Sequence, residues 1–362
     1  MSDPAPMNAT RARHASGRAF WRAAWFNTLG RFLALVLVFA FFAVQIDNGA
    51  FYTPRNLENI GRQSTVYAIA ALGATLVIIS GGIDLSVGAI IALAVVTVAW
   101  VLSLSTPNAA GDAVYLIDAY PRTLPLAALA AGMLVTTLAG LCNGLLIVGL
   151  RIVPFIVTLG TMGIFRGLSK GIARERDIYP PRETWLSSLM DPTLTSSNVA
   201  RKWTLLPPGI WILLVAALLA ALALRYTRFG RHVVAAGSNP ETARLCGVPV
   251  GRTKVMVYAL AGFFAGLAGL MQFSFIAGIG QPTTGVSYEL FVIAAVVIGG
   301  GSLMGGEGSI LGSVIGALLI TILYMGGQQM GWPKWVQEMV IGAIIIAAVA
   351  VDQIRYRKLQ QG

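Results

Sequence analysis

Three polar side chains stand in stretches that are otherwise apolar: Asp84 in 81–88, Asn143 inside the run 124–149, and Glu289 at the start of the run 289–303. An ionisable group in hydrocarbon costs about 3 kcal/mol, so one that persists pairs, caps a helix or lines a path. Asp84, flanked by Gly82 and Ser86, has two readings. Either it caps the helix that follows, or Asp84 and Ser86 belong to a broken helix whose freed backbone groups and carboxylate line a solute path. Glu289 reads as a first-turn acid at the positive end of a helix, or as a carboxylate facing a hydroxyl or a partner protein. Asn143 reads as a hydrogen bond to a neighbouring helix or to a solute.

Other chemistry finds little support. The chain has no G-x-x-x-x-G-K-[ST] string to cradle phosphates and no H-E-x-x-H. Its two histidines, His14 and His232, fall in basic segments, which leaves metal sites and hydrolase triads without members. The chain reads as a non-enzyme with no cofactor and no metal. The lack of a histidine or of several acids within apolar runs also weighs against proton-driven transport.

A second constellation lies in the basic stretch 225–254. Asn239 can cap free backbone N–H groups, Pro240 fits a first helical turn, and Glu241 complements the positive end of the dipole. Gly247, followed by Pro249, reads as the stop. The helix so defined has about two turns, roughly 10 Å. That is too short to cross a bilayer but long enough to lie along its surface as a ridge. From spacing alone, an ordinary basic loop fits equally well.

Composition dictates what must position these groups. Of 362 residues, 56% are hydrophobic and 11% charged, with mean hydropathy +0.74. Soluble domains carry about 25% charged residues. The chain reads as an all-α polytopic membrane protein. Net charge is +11, but the charges sit in loops between apolar runs and suit orientation and lipid head groups better than nucleic acid. Cys142 and Cys246 give no disulfide framework.

A span needs about 20 apolar residues, and about ten runs qualify: 32–46, 63–80, 84–104, 124–149, 152–169, 209–224, 253–277, 289–303, 308–326 and 335–351. The arginine-rich segment 1–31 places the N-terminus in the cytoplasm, ahead of an uncleaved first span. Ten crossings then return the tail 352–362 to the cytoplasm and put loop 225–254 there as well. Loop 170–208 falls outside, although its basic residues argue the other way.

Two glycine-rich stretches, 81–88 and 299–306, resemble each other and suggest an internal duplication, which five spans per half would make inverted. Gly262 and Gly266, and Gly308, Gly312 and Gly316, recur at every fourth position, the spacing that lets helix backbones touch within a chain or between subunits.

Glu241-Thr242-Ala243, three residues and then Gly247 resembles the EAA…G loop of ABC importer membrane subunits, with Thr242 where alanine is usual. Separate blocks extend the likeness: Gly81-Gly82-Ile83-Asp84-Leu85-Ser86-Val87-Gly88, Val157-Thr158-Leu159-Gly160-Thr161-Met162 with Arg166-Gly167, and Gln281-Pro282-Thr283 through Tyr288-Glu289-Leu290 to Gly299-Gly300. In that order they are similar to the permeases of ribose-type sugar ABC importers, continuously from about residue 50 onward. The resemblance implies an ABC importer permease fold of about ten helices in a bacterial inner membrane. It implies a homodimer or a pair of related permeases. It also implies an ATPase subunit, often a tandem fusion, docked on the coupling helix at Asn239, Pro240, Glu241, Ala243 and Gly247, and an extracytoplasmic sugar-binding protein. The expected function is the membrane-spanning subunit of an ATP-driven importer of a monosaccharide or similar polyhydroxylated solute. The alternatives are an ATP-independent secondary transporter or facilitator, and a related permease for nucleosides or branched-chain amino acids.

Overall fold

The computed structural model describes residues 29–107, 112–193 and 205–360. Most of segment 1–31 and part of loop 170–208 lie outside the described residues.

Each of the ten apolar runs falls on a helix. The first half contains α1 (Leu29–Gln45), α2 (Pro54–Ile79), α3 (Val87–Leu102), the single turn α4 (Leu116–Ala119), α5 (Thr123–Leu150) and α6 (Pro154–Ile172). Then follow α7 (Pro208–Tyr226), the short pair α8 (Arg228–Ser238) and α9 (Pro240–Leu245), α10 (Val250–Phe275), α11 (Tyr288–Ile298), α12 (Ile310–Gln329) and α13 (Lys334–Gln360). A small hairpin, β1 (Ser105–Pro107) with β2 (Ala113–Tyr115), precedes α4. Two boundaries depart from expectation. α2 begins at Pro54, nine residues before the apolar run, because the Thr53 side chain accepts from Asn56 N–H and Pro54 fits the first turn. α13 continues to Gln360, so the expected tail extends the last helix.

Loop contacts sort the helix ends onto two faces. On one face Gly306 N–H donates to the Ile79 carbonyl at 2.8 Å, and Gly237 packs on that same carbonyl. Arg31 of α1 reaches the backbone of Gly300 and Gly312 there. On the opposite face Ile178 pairs with Gly280, Arg182 meets Asp118 at 2.7 Å, and Met190 N–H donates to Ser274 Oγ at 2.7 Å. The basic pair α8–α9 therefore shares a face with the start of α1, and the described part of loop 170–208 lies across from it. The loop and the basic pair are thus on opposite faces, as the helix count has it.

The centre is built from two long helices and the short ones that follow them. α2 and α10 each have 26 residues, run in opposite directions, and are followed by α3 (16 residues) and α11 (11 residues). α3 is buried along its length except at Trp100, and it is correspondingly apolar all round. α7, by contrast, turns Leu214, Val215, Leu218 and Leu219 outward, as a lipid-facing helix should. α2–α3 and α10–α11 occupy spans two and three and spans seven and eight, five apart and inverted.

The glycine likeness between 81–88 and 299–306 has another cause. Gly81 and Gly300 (φ +76° and +81°) end α2 and α11 in the same way, with paired i−3 and i−5 hydrogen bonds to the last turn. The shared glycines are helix stops. The structural counterpart of 80–86 is 276–287.

The glycine rows are used inside the chain. A Cβ on Gly262 would overlap the Thr136 carbonyl and stand 2.9 Å from Gly140 Cα, and one on Gly266 would collide with Thr136 Oγ1, both on α5. Gly308 meets Ile79, Gly312 the Gly299 carbonyl and Gly316 the Ala295 carbonyl. These rows bring α10 against α5 and α12 against α2 and α11, so they give no argument for a second subunit. Gly262→Leu should destabilise the fold by about 1–3 kcal/mol through overpacking. A lowered unfolding midpoint of the detergent-purified chain is the expected reading, and an unchanged midpoint would contradict this packing.

Candidate functional site

α3 and α11 both begin inside the bundle. Tyr288, the first residue of α11, packs its ring on Tyr67, halfway along α2, with centroids 4.9 Å apart. Ser86, just ahead of α3, is bonded by Asn143 of α5, seven residues or about 10 Å from the end of that helix. The segments leading into the two helices meet. A Cβ on Gly88 would overlap the Gly285 carbonyl and lie 2.6 Å from Glu289 Oε2, so only glycine fits there.

Irregular backbone inside an apolar bundle needs partners brought to it. The Ile83 carbonyl accepts from Thr158 Oγ1 of α6 at 3.3 Å and from Tyr258 OH of α10 at 3.4 Å. Arg166 of α6 donates to the Pro282 carbonyl at 3.3 Å and to the Thr284 carbonyl. α6 thereby clamps both entering segments. Gly167-Leu168-Ser169-Lys170-Gly171 has the G-x-S-x-G pattern, but it lies within this helix rather than on a strand–helix elbow.

The four residues singled out for a path converge here. Asp84 Oδ1 accepts from Ser86 N–H at 2.8 Å and Ser86 Oγ at 2.6 Å, and Asn143 Nδ2 donates to Ser86 Oγ at 2.8 Å. The capping reading of Asp84 needs correction. Ser86 is the N-cap residue of α3, and Asp84 fixes that residue rather than the free N–H groups beyond it. Glu289 is the first-turn acid of α11, and Asn143 bonds a neighbouring segment, each as one of its two readings had it. Asp84, Ser86 and Asn143 are buried, and Glu289 is partly so. Asp84 Oδ2, Asn143 Oδ1 and Glu289 Oε2 have no hydrogen-bond partner among the described residues. Three oxygen acceptors thus converge on the junction of two helix N-termini. Arg166, Thr158 and Tyr258 were not singled out as site residues. Arg166 carried a signal, being a lone arginine in an apolar run.

The basic face carries the second feature. Asn239 Oδ1 accepts from Glu241 N–H at 3.1 Å and Thr242 N–H at 3.0 Å, capping α9 behind Pro240. Gly247 has φ +81°; its N–H donates to the Arg244 carbonyl and that of Val248 to the Ala243 carbonyl, closing the helix. Ala243 is buried against Ala236 and Val250, which seats α9 on α8 and α10. Glu241, Thr242, Arg244 and Leu245 face outward, and Leu245 is 89% exposed. The result is a fixed ridge with one apolar tip and charges of both signs. Where α8 meets α9, Gly237 lies on the Ile79 carbonyl and beside Gly305 and Gly306, backbone against backbone.

The family described as "Branched-chain amino acid transport system / permease component" matches residues 56–349. The ribose import permease protein RbsC of Bacillus subtilis is 38% identical, over 90% of this chain and 92% of its own length. The RbsC of Escherichia coli K12 is 34% identical over 93% and 97%. The galactose/methyl galactoside import permease MglC of the same strain is 34% identical over 91% and 95%. No solved structure matches. Among the described residues five helices are long and apolar enough to cross a membrane and three shorter ones are apolar, and with the polar junction and likeness over nine-tenths of the length they agree: this multi-pass membrane protein belongs to the family of permease subunits of ABC importers that includes the ribose and galactose permeases.

Proposed function

We propose that the chain forms the translocation path of an ATP-driven importer of a monosaccharide or similar polyhydroxylated solute. The observation that carries the reading is the junction of α3 and α11, where Asp84, Asn143 and Glu289 present unpartnered oxygens beside two helix starts. Such groups suit a ligand rich in hydroxyl donors. The family description names branched-chain amino acids, whereas the relatives reported above are sugar permeases, and the hydroxyl-hungry junction favours the sugar. α9 is the coupling helix to a separate ATPase, single or tandem-fused, and a binding protein delivers solute on the opposite face. The permease works as a pair with a second copy or a paralogue. The face bearing α8–α9 and the start of α1 is cytoplasmic, in a bacterial inner membrane.

Orientation is tested by placing single cysteines at Ser238 and Glu183 after Cys142 and Cys246 are changed to serine. A membrane-impermeant thiol reagent added outside should label position 183 and spare 238, and the reverse would invert the assignment.

At the junction, Asp84→Asn weakens the charge-assisted bonds from Ser86, and import should fall about tenfold or more while the chain still purifies folded. Uptake at wild-type rate would remove Asp84 from the path.

At the ridge, Glu241→Lys reverses the first-turn charge, and Gly247→Val forces a branched residue into a left-handed backbone at a cost of about 1–2 kcal/mol. A Cβ at Gly247 meets nothing within 4 Å, so the strain is local and the membrane helices should stay folded. The double variant should lose co-purification of the ATPase and its stimulation by loaded binding protein. Retention of both would refute the docking assignment.

A further inference from the structure

Adjoining the junction on its outward side, a cavity of about 220 Å³ lies between α2, α10, α11, α12 and the first turns of α13. It is on the face opposite α8–α9, where α13 begins. The volume is below that of drug-sized sites and suits one small solute.

Its walls combine two chemistries. Tyr67, Tyr288, Phe291 and Tyr324 form an aromatic cluster, with Tyr67 edge-on to Tyr288 and to Phe291 at centroid distances of 4.9 and 5.5 Å. Gln63, Gln272, Gln281 and Gln337 add amides, four of the chain's ten glutamines around one small cavity. Gln63 Nε2 donates to Tyr67 OH at 3.1 Å, but other polar groups of the wall are held loosely. Tyr288 OH donates to Gln272 Oε1 at 3.4 Å and Thr284 Oγ1 to Gln281 Oε1 at 3.4 Å, both long for hydrogen bonds from a hydroxyl. Gln337 is only 7% exposed; its Nε2 donates to the Trp332 carbonyl, while its Oε1 is buried without a hydrogen-bond partner among the described residues. A buried, unpaired amide oxygen is a costly feature for packing alone to retain.

Charge is confined to the rim. Lys334 and Glu338 pair with each other at 4.0 Å, with side chains 76% and 51% exposed. An amino acid would bring an ammonium and a carboxylate with no buried counter-charge in the walls, whereas an uncharged ring with several hydroxyls matches them. Aromatic rings accept the C–H faces of such a ring, and amides both donate to and accept from its hydroxyls. Thr284 and Gly285 belong to this wall and also to the segment that Arg166 clamps and Gly88 touches. An occupant would rest on the same strip of backbone that closes the inner junction.

We infer that this cavity binds one molecule of an uncharged polyhydroxylated solute within a single subunit, using the tyrosine cluster and the glutamine amides. The inference rests on the sugar-import reading and extends it to a second location, outward of the junction.

The test measures equilibrium binding of radiolabelled D-ribose and D-galactose, with L-leucine as control, to the detergent-purified full chain. Wild type is compared with Gln337→Leu and Gln281→Leu, and uptake of the same solutes by the complete importer is measured in parallel. Saturable binding of one sugar and not leucine, weakened about tenfold in either folded variant, is the expected result. Gln281 lies in a connecting segment, so its variant serves if the helical one fails to fold. Sugar uptake by the importer without sugar binding to the chain overturns the inference and leaves the import reading standing. Sugar binding unchanged in both variants overturns it equally. Uptake of leucine and of no sugar overturns the import reading, and the inference falls with it.

Discussion

Backbone that leaves the helix inside an apolar bundle cannot turn to water for its hydrogen bonds. In this chain that constraint falls on two segments, 80–86 and 276–287, and much of the interior is arranged to meet it. Thr158 and Tyr258 serve the carbonyl of Ile83, Arg166 serves those of Pro282 and Thr284, and Asp84 holds Ser86. Gly88 and Gly285 then let the two segments touch. A cost accepted in the backbone becomes a polar centre in a hydrophobic protein, and that centre is where a solute path can be built. α6 has a double role here, since one helix supplies a clamp to each segment.

Much of this was legible in the residues. Apolar runs near span length located the helices, because a segment crossing hydrocarbon must stay apolar over most of its length. The α9 cap and stop were readable from Asn239, Pro240 and Gly247, since each acts through local backbone geometry that needs no tertiary partner. Asp84, Asn143 and Glu289 stood out because polar groups are conspicuous in apolar sequence. Their meeting was not visible, as they lie on segments 59 to 205 residues apart.

The failures share a cause. The glycines of 81–88 and 299–306 looked like a repeat because both end helices, and local backbone demand recurs without common descent. The inverted units α2–α3 and α10–α11 keep their correspondence in direction and order while their loops differ in sequence. Similarly, glycine every fourth residue announces a close approach but does not name what approaches. Gly262 faces Gly140 within the chain, one of the two arrangements that its spacing allowed.

Gly237 rests on the Ile79 carbonyl and against Gly305 and Gly306 with no side chain between them. Side-chain contacts yield under load, because rotamers turn and methyl groups slide. Bare backbone has no such slack. At this seam the α8–α9 pair touches the end of α2 and the loop after α11 directly, so a displacement of the pair would bear on both inverted units with no side chain between them.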